Sequence, residues 1–272
     1  MVGGVPFRYV DRGQGNPVVF VHGIVTDHRV WNTHLQVISA RARCIAYDQR
    51  YFGVNDWPKA GPQYSVATHA DDLAGLVEQV VQGPAHIVGW SYGGAVALAM
   101  AAAKPERVKS LCLYEPGGLF SVVANPEQRA AIANERRGMA AVAEATAKGE
   151  LESAVKQAAE WTEGRPGSFS SLPREVQQVV LENAHTLERH FLALPSTVSC
   201  ADLRAVSVPV TIVRGANTRS FFAIFAHAIG ECLANVENIV LPGVGHFAPA
   251  QYPDLFARVV LGHLERCGAV AT

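Results

Sequence analysis

Three side chains stand where, together, they could make a hydroxyl nucleophilic. The segment "IVGWSYGG" holds Ser91 in the pattern G-x-S-x-G, as Gly89-Trp90-Ser91-Tyr92-Gly93, between a β-branched run and an Ala-rich stretch. A serine pinned on a tight strand-to-helix turn must take strained backbone angles, and glycines two before and two after it leave room for that turn. The helix that starts there offers unpaired N–H groups and a positive dipole end where negative charge can develop. A serine hydroxyl is a poor nucleophile at neutral pH and needs a base within hydrogen-bond reach. Among the ten histidines, His246 stands apart: it lies in "LPGVGHFAPAQYP", a glycine-bearing loop between a final strand and a C-terminal helix. Such a loop can hold an imidazole above the strand ends. Activity should therefore fall as His246 protonates.

The third group is an acid. A carboxylate on the other ring N–H fixes the tautomer of the base and stabilises the imidazolium; asparagine in its place costs about four orders of magnitude in turnover in a serine protease. The loop after "VTIVRG" offers Asn217, not a carboxylate. Glu115 in "SLCLYEPGGLF" ends the strand that follows the nucleophile helix, and strand ends on one side of a parallel sheet open onto one crevice. Its extra methylene suits reaching the histidine from a neighbouring strand. Pro116 predicts an extended Glu115 and an end to the strand there. The other role open to Glu115 is to pair with an arginine or to cap the next helix. Asp202 precedes its strand and is expected on the far side of the sheet. Asn217 is then free to hold its loop or line the pocket.

The elements that must position these groups are readable as a rhythm. Short β-branched runs at 17–23, 44–48, 85–90, 108–115, 208–215 and 236–241 alternate with helical stretches at 64–82, 92–104, 220–233 and 252–266. That alternation implies an α/β fold, a mostly parallel sheet of about seven to eight strands flanked by helices. Between 115 and 208 the rhythm breaks. The segments 126–147 and 150–161 are helical by propensity, 162–173 is rich in Gly, Pro and Ser, and 173–194 places Val176, Val179, Val180, Leu187, Phe191 and Leu194 on one helical face. This reads as an all-helical cap, residues 117–198, inserted into a core formed by 1–116 and 199–272.

In "FVHG" (20–23), "YDQRYFG" (47–53), "GWSYGG" (89–94), "LYEP" (113–116) and "PGVGHF" (242–247) the chain resembles the α/β-hydrolases over nearly its whole length. The resemblance implies a serine hydrolase with Ile24 and Tyr92 as backbone donors to an oxyanion, and makes His22 a structural brace rather than a base. It also supports Glu115, because some subfamilies, haloalkane dehalogenases and zearalenone lactone hydrolases among them, carry their acid after this strand. Where relatives often read D-x-R-G-x-G, Tyr51 and Phe52 intervene, and both are expected at the pocket. Gly23, Trp90, Trp161, Phe247 and Asn217 complete the expected pocket. "VPFRYVDRG" looks like the second strand of the family, so the usual first edge strand is expected to be short or absent.

Composition narrows the partners. The 272 residues are about half apolar and carry a formal charge of -1, so the chain can bury a large core but has no cationic excess for nucleic acid or anionic membrane. No run is long enough to span a bilayer. Five widely spaced cysteines without a C-x-x-C pair suggest reduced, buried thiols, no zinc site and a cytoplasmic protein. His185 and His190, five positions apart, do not share a helical face, and no metal or cofactor is expected. "GQG" at 13–15 is only a turn. The expected partner is a hydrophobic small molecule, with a homodimer as a further expectation. Three functions fit: hydrolysis of an ester or lactone, cleavage of a carbon–carbon bond or peracid formation on the same three residues, and a hydrolase-like binding protein with little turnover.

Overall fold

The structure is a computed structural model that describes residues 5–55, 57 and 61–271. Seven strands form one sheet: β1 (Tyr9–Arg12), β2 (Pro17–Val21), β3 (Arg43–Tyr47), β4 (Ala85–Trp90), β5 (Val108–Tyr114), β6 (Val210–Gly215) and β7 (Val236–Leu241). Their order is β1-β3-β2-β4-β5-β6-β7. β1 runs antiparallel to β3; the other neighbours are parallel. The β-branched runs are buried along nearly their whole length in β2, β4 and β5, as a sheet covered on both faces requires. The chain reverses its direction of winding between β2 and β4, and a crevice opens beyond the C-terminal ends of such neighbours. Gly23 follows one of these strands and Ser91 the other.

The described residues also form twelve α-helices: α1 (Asn32–Ile38), α2 (Val66–Leu76), α3 (Tyr92–Ala103), α4 (Pro126–Arg137), α5 (Ala140–Ala147), α6 (Leu151–Glu163), α7 (Arg174–Glu182), α8 (Thr186–Phe191), α9 (Cys200–Arg204), α10 (Ser220–Cys232), α11 (Ala248–Gln251) and α12 (Pro253–Arg266). Helix α3 is apolar all round and buried from Tyr92 to Ala101, as its Ala-rich sequence demands. With α2 and α10 it builds one core layer, around Leu73, Ala95 and Phe225. On the opposite face α1 and α12 bring Trp31, Leu35 and Phe256 together, each fully buried and each contributing about 2–3 kcal/mol.

The segment between β5 and β6 is helical, but its helices are shorter than the periodicity implies. The 126–147 stretch divides after Arg137, where the Trp161 indole N–H donates to the Glu135 carbonyl, 3.1 Å away. The amphipathic 173–194 stretch divides at Asn183, whose side chain leaves the helix for the loops below it. Its Oδ1 accepts from the Gly53 N–H at 2.7 Å and its Nδ2 donates to Asp27 at 2.8 Å. Val176, Val179, Val180 and Leu187 dock inward, whereas Phe191 and Leu194 remain exposed.

The cysteine expectation needs correction. Cys200 and Cys232 form a disulfide, with their Cα atoms 5.1 Å apart, that ties the start of α9 to the end of α10. Thirty-two positions separate them in sequence, and packing of α9 on α10 closes the gap. Cys44 and Cys112 are free and buried, as expected, and Cys267 is free and half-buried. With Cys200 and Cys232 paired, the cysteines are no ground for placing the protein in the cytoplasm. Among the described residues no helix is long and apolar enough to cross a membrane.

Candidate active site

Ser91 sits between β4 and α3 with φ 54° and ψ −117°, a region that side chains rarely occupy. The flanking glycines are steric necessities. A Cβ on Gly93 would lie 2.3 Å from the Val21 carbonyl oxygen, and one on Gly89 would lie 2.8 Å from the Gly94 Cα. The turn is held by the Ser91 N–H, which donates to the Tyr114 carbonyl at 2.9 Å. Tyr92 opens α3, so its N–H has no partner within the helix. Ile24 faces the same space from the loop after β2, where Val25 is held at φ 50°, an unusual angle for a β-branched residue.

His22 braces that loop. Its Nε2 accepts from the Gln49 N–H at 3.0 Å, which leaves Nδ1 to donate to the Gly23 carbonyl at 2.8 Å. Burial pushes its pKa down, so the ring is a neutral strut.

His246 is buried, and its Nδ1 lies 2.6 Å from Oε2 of Glu115. Glu115 is fully buried and takes three further constraints. Its N–H donates to the Val213 carbonyl at 2.8 Å, its Oε1 accepts from the Gly215 N–H at 2.8 Å, and its Oε2 accepts from the Thr218 hydroxyl at 2.8 Å. The extended conformation expected before Pro116 is not found. Glu115 has φ 43°, and these hydrogen bonds hold it in a left-handed region that the proline alone disfavours.

Aromatic rings and one carboxylate fix the histidine loop. Phe222 stacks on the His246 ring, with centroids 3.7 Å apart. The Trp90 indole N–H donates to the His246 carbonyl at 3.0 Å, and the Tyr114 hydroxyl to the Gly245 carbonyl at 2.6 Å. From α6, Glu163 accepts the Phe247 N–H at 2.7 Å.

Ser91 and His246 open onto one cavity of about 680 Å³ between the strand ends and the inserted helices, a size suited to a small molecule. Gly23, Trp90, Trp161 and Phe247 line it, as the sequence implies. Three expected pocket residues lie elsewhere. Phe52 is fully buried against His22 and Tyr64, and Tyr51 turns its hydroxyl to the Pro62 carbonyl. Asn217 is exposed, donates its N–H to the Val244 carbonyl at 3.0 Å, and borders a separate polar recess with Glu163 and Arg165. Its neighbour Thr218 reaches Glu115 instead. Thr218, Phe222, Glu163, Arg136 and His190 are site residues that no sequence motif marks. Asp202 forms a capping box with Ser199 at the start of α9, away from the cavity.

The two histidines weighed as metal ligands part company. His185 contacts the Tyr51 carbonyl at 3.1 Å, while His190 lines the cavity. Asp27, His28 and Asp48 do cluster. Their oxygens are already committed to Arg29, Asn183, His28 and Asn55.

Comparison with known proteins agrees with this fold. The α/β-hydrolase fold family matches residues 16–253. The chain is 24% identical to 2-(acetamidomethylene)succinate hydrolase of Mesorhizobium japonicum, over 97% of this chain and 93% of that one. It is 38% identical to 2-hydroxy-6-oxo-2,4-heptadienoate hydrolase of Pseudomonas putida over 44% of each chain. Among solved structures, MenH from S. aureus superposes with a TM-score of 0.76 at 20% identity, over 96% of this chain and 98% of that one. A thermophilic esterase from Thermogutta terrifontis gives 0.69 at 23%, over 98% and 97%.

Proposed function

Because the chain belongs to the α/β-hydrolase fold family, we propose that it is a serine hydrolase cleaving a carboxylic ester or lactone of a small, largely apolar molecule through an acyl-enzyme. Ser91 Oγ attacks the scissile carbonyl while its proton passes to Nε2 of His246. Glu115 accepts the Nδ1–H of His246 and balances the imidazolium. The N–H groups of Ile24 and Tyr92 hold the oxyanion, and each such donor is worth about 3 kcal/mol of transition-state stabilisation. Collapse expels the alcohol with the proton from Nε2. Water, deprotonated by the same imidazole, then frees the acid and restores Ser91. Residues 117–198 act as the cap that excludes bulk water, over a core of 1–116 and 199–272.

The observation that carries this reading is the 2.6 Å contact between Glu115 and His246, buried beside the strained Ser91. A fluorophosphonate probe is expected to label Ser91 and to lose its target in Ser91→Ala. A folded protein that resists the probe would sink the proposal.

Carbon–carbon bond hydrolysis on the same residues is the second reading. It is favoured by the names of relatives such as 2-hydroxymuconate semialdehyde hydrolase, 33% identical over 43% of this chain. Rates on a vinylogous diketone far above those on aryl esters and lactones would select it. A binding protein with little turnover would be insensitive to Glu115→Gln.

A further inference from the structure

The cavity beside Ser91 is apolar over most of its wall, and among the described residues no aspartate or glutamate and one permanent cation line it. Arg136, in the last turn of α4, places its guanidinium carbon 4.8 Å from the centroid of the Phe120 ring and forms no ion pair among the described residues. The adjacent Glu135 is engaged by Arg219 and Ser220. His190 also lines it, packing edge-on against Tyr64 and Tyr92, and its buried Nδ1 has no hydrogen-bond partner among the described residues. Burial, and then the charge of Arg136, push the His190 pKa down to about 4. The ring is therefore neutral near pH 7 and able to donate one N–H.

A guanidinium fork at the wall of an apolar chamber, with a neutral imidazole also lining it, suits a planar carboxylate. The guanidinium supplies the charge and paired donors that a carboxylate takes up, and the wall accepts a hydrocarbon body. From Arg136, His190 and the absence of any lining carboxylate, we infer that the substrate carries a carboxylate, anchored by Arg136, on the part of the molecule remote from the scissile bond. This rests on the reading of the cavity as the substrate site. It narrows the substrate from a neutral apolar ester to a monoanionic one with an apolar middle.

The test separates the anchor from the chemistry. Phenylvalerate and its primary amide, alike except for charge, are titrated into the protein by calorimetry. The carboxylate is expected to bind about ten to a hundred times more tightly, with the difference abolished in Arg136→Gln and largely kept in Arg136→Lys. Arg136 is exposed and unpaired, so both variants should retain the wild-type circular dichroism. Equal affinity for the two compounds, or a preference that survives in Arg136→Gln, overturns the anchor. In parallel, the monophenyl ester of glutaric acid is compared with phenyl valerate. A binding preference with neither ester cleaved leaves the anchor standing and removes the hydrolase reading. Cleavage of both esters with no binding preference does the reverse.

Discussion

Glu115 and Asn217 lie at the ends of adjacent strands, and only one of them reaches the imidazole. Glu115→Gln should lower turnover by about three to four orders of magnitude in protein that still folds, since a neutral amide no longer favours the Nδ1–H tautomer. Asn217→Ala should alter turnover by less than about twofold, because its side chain is exposed and its N–H bond to Val244 survives the change. Thr218→Val removes one hydrogen bond to Glu115 and should cost about tenfold. Steady-state kinetics on one aryl ester decides all three. The sequence disclosed Glu115 because acid, strand and proline occur together at 113–116. It could not disclose Thr218: a hydroxyl next to Asn217 carries no signal until the loop conformation decides which of the two side chains faces inward. The backbone of Glu115 was also illegible, since local preference before proline points the other way and four hydrogen bonds made by neighbouring strands and loops override it.

At the level of elements, the sheet and its covering helices were legible, and the breaks between the inserted helices were not. Strand runs and crossover helices announce themselves by periodicity. Asn183 ends α7 for the sake of Gly53 and Asp27, partners about 130 and 156 positions away in sequence, which no local pattern encodes. The cluster has a measurable weight. Asp27 is buried, which alone would raise its pKa, yet bonds from Arg29 and Asn183 hold it near 2, below its ordinary 3.8. A depressed folded-state pKa stabilises the fold above the unfolded value and loses that contribution as pH falls through the folded one. Asp27→Asn should therefore be destabilised by about 2 kcal/mol at pH 7. Urea unfolding at pH 7 would show it; a variant as stable as the wild type would refute the assignment. Reduction of the disulfide that ties α9 to α10 should lower stability by about 3–4 kcal/mol through the loop it closes, readable as a drop in urea midpoint on adding a thiol.

Across the described residues, five imidazoles are buried and held neutral near pH 7. Burial pushes His34 and His69 down to about 3, and His86, His190 and His263 to about 4. Unfolding returns each to about 6.5, so below that pH the unfolded chain binds more protons than the native one. Stability must then fall with pH, by about 1.4 kcal/mol per unit for each such ring. Five rings acting together would exhaust the stability of an ordinary domain within a few pH units. Cooperative unfolding is expected between about pH 4 and 5.5, before most carboxylates protonate. His34, whose two ring nitrogens have no partner, supplies the control: His34→Leu should shift the acid midpoint downward. A midpoint below pH 3 in the wild type would contradict the argument.

Glu163 belongs to the inserted helices, yet it grips the N–H of Phe247, the residue after His246. Arg219 grips the same helices from the loop that carries Thr218. A roof tethered on that side cannot swing away without carrying the imidazole and the partner of its carboxylate with it. Leu194 lines the chamber and, with Leu192, is exposed where the chain between α8 and α9 has no regular structure. In the proposed hydrolase, contents exchanged by way of that segment would leave the hydrogen bond between Glu115 and His246 in place.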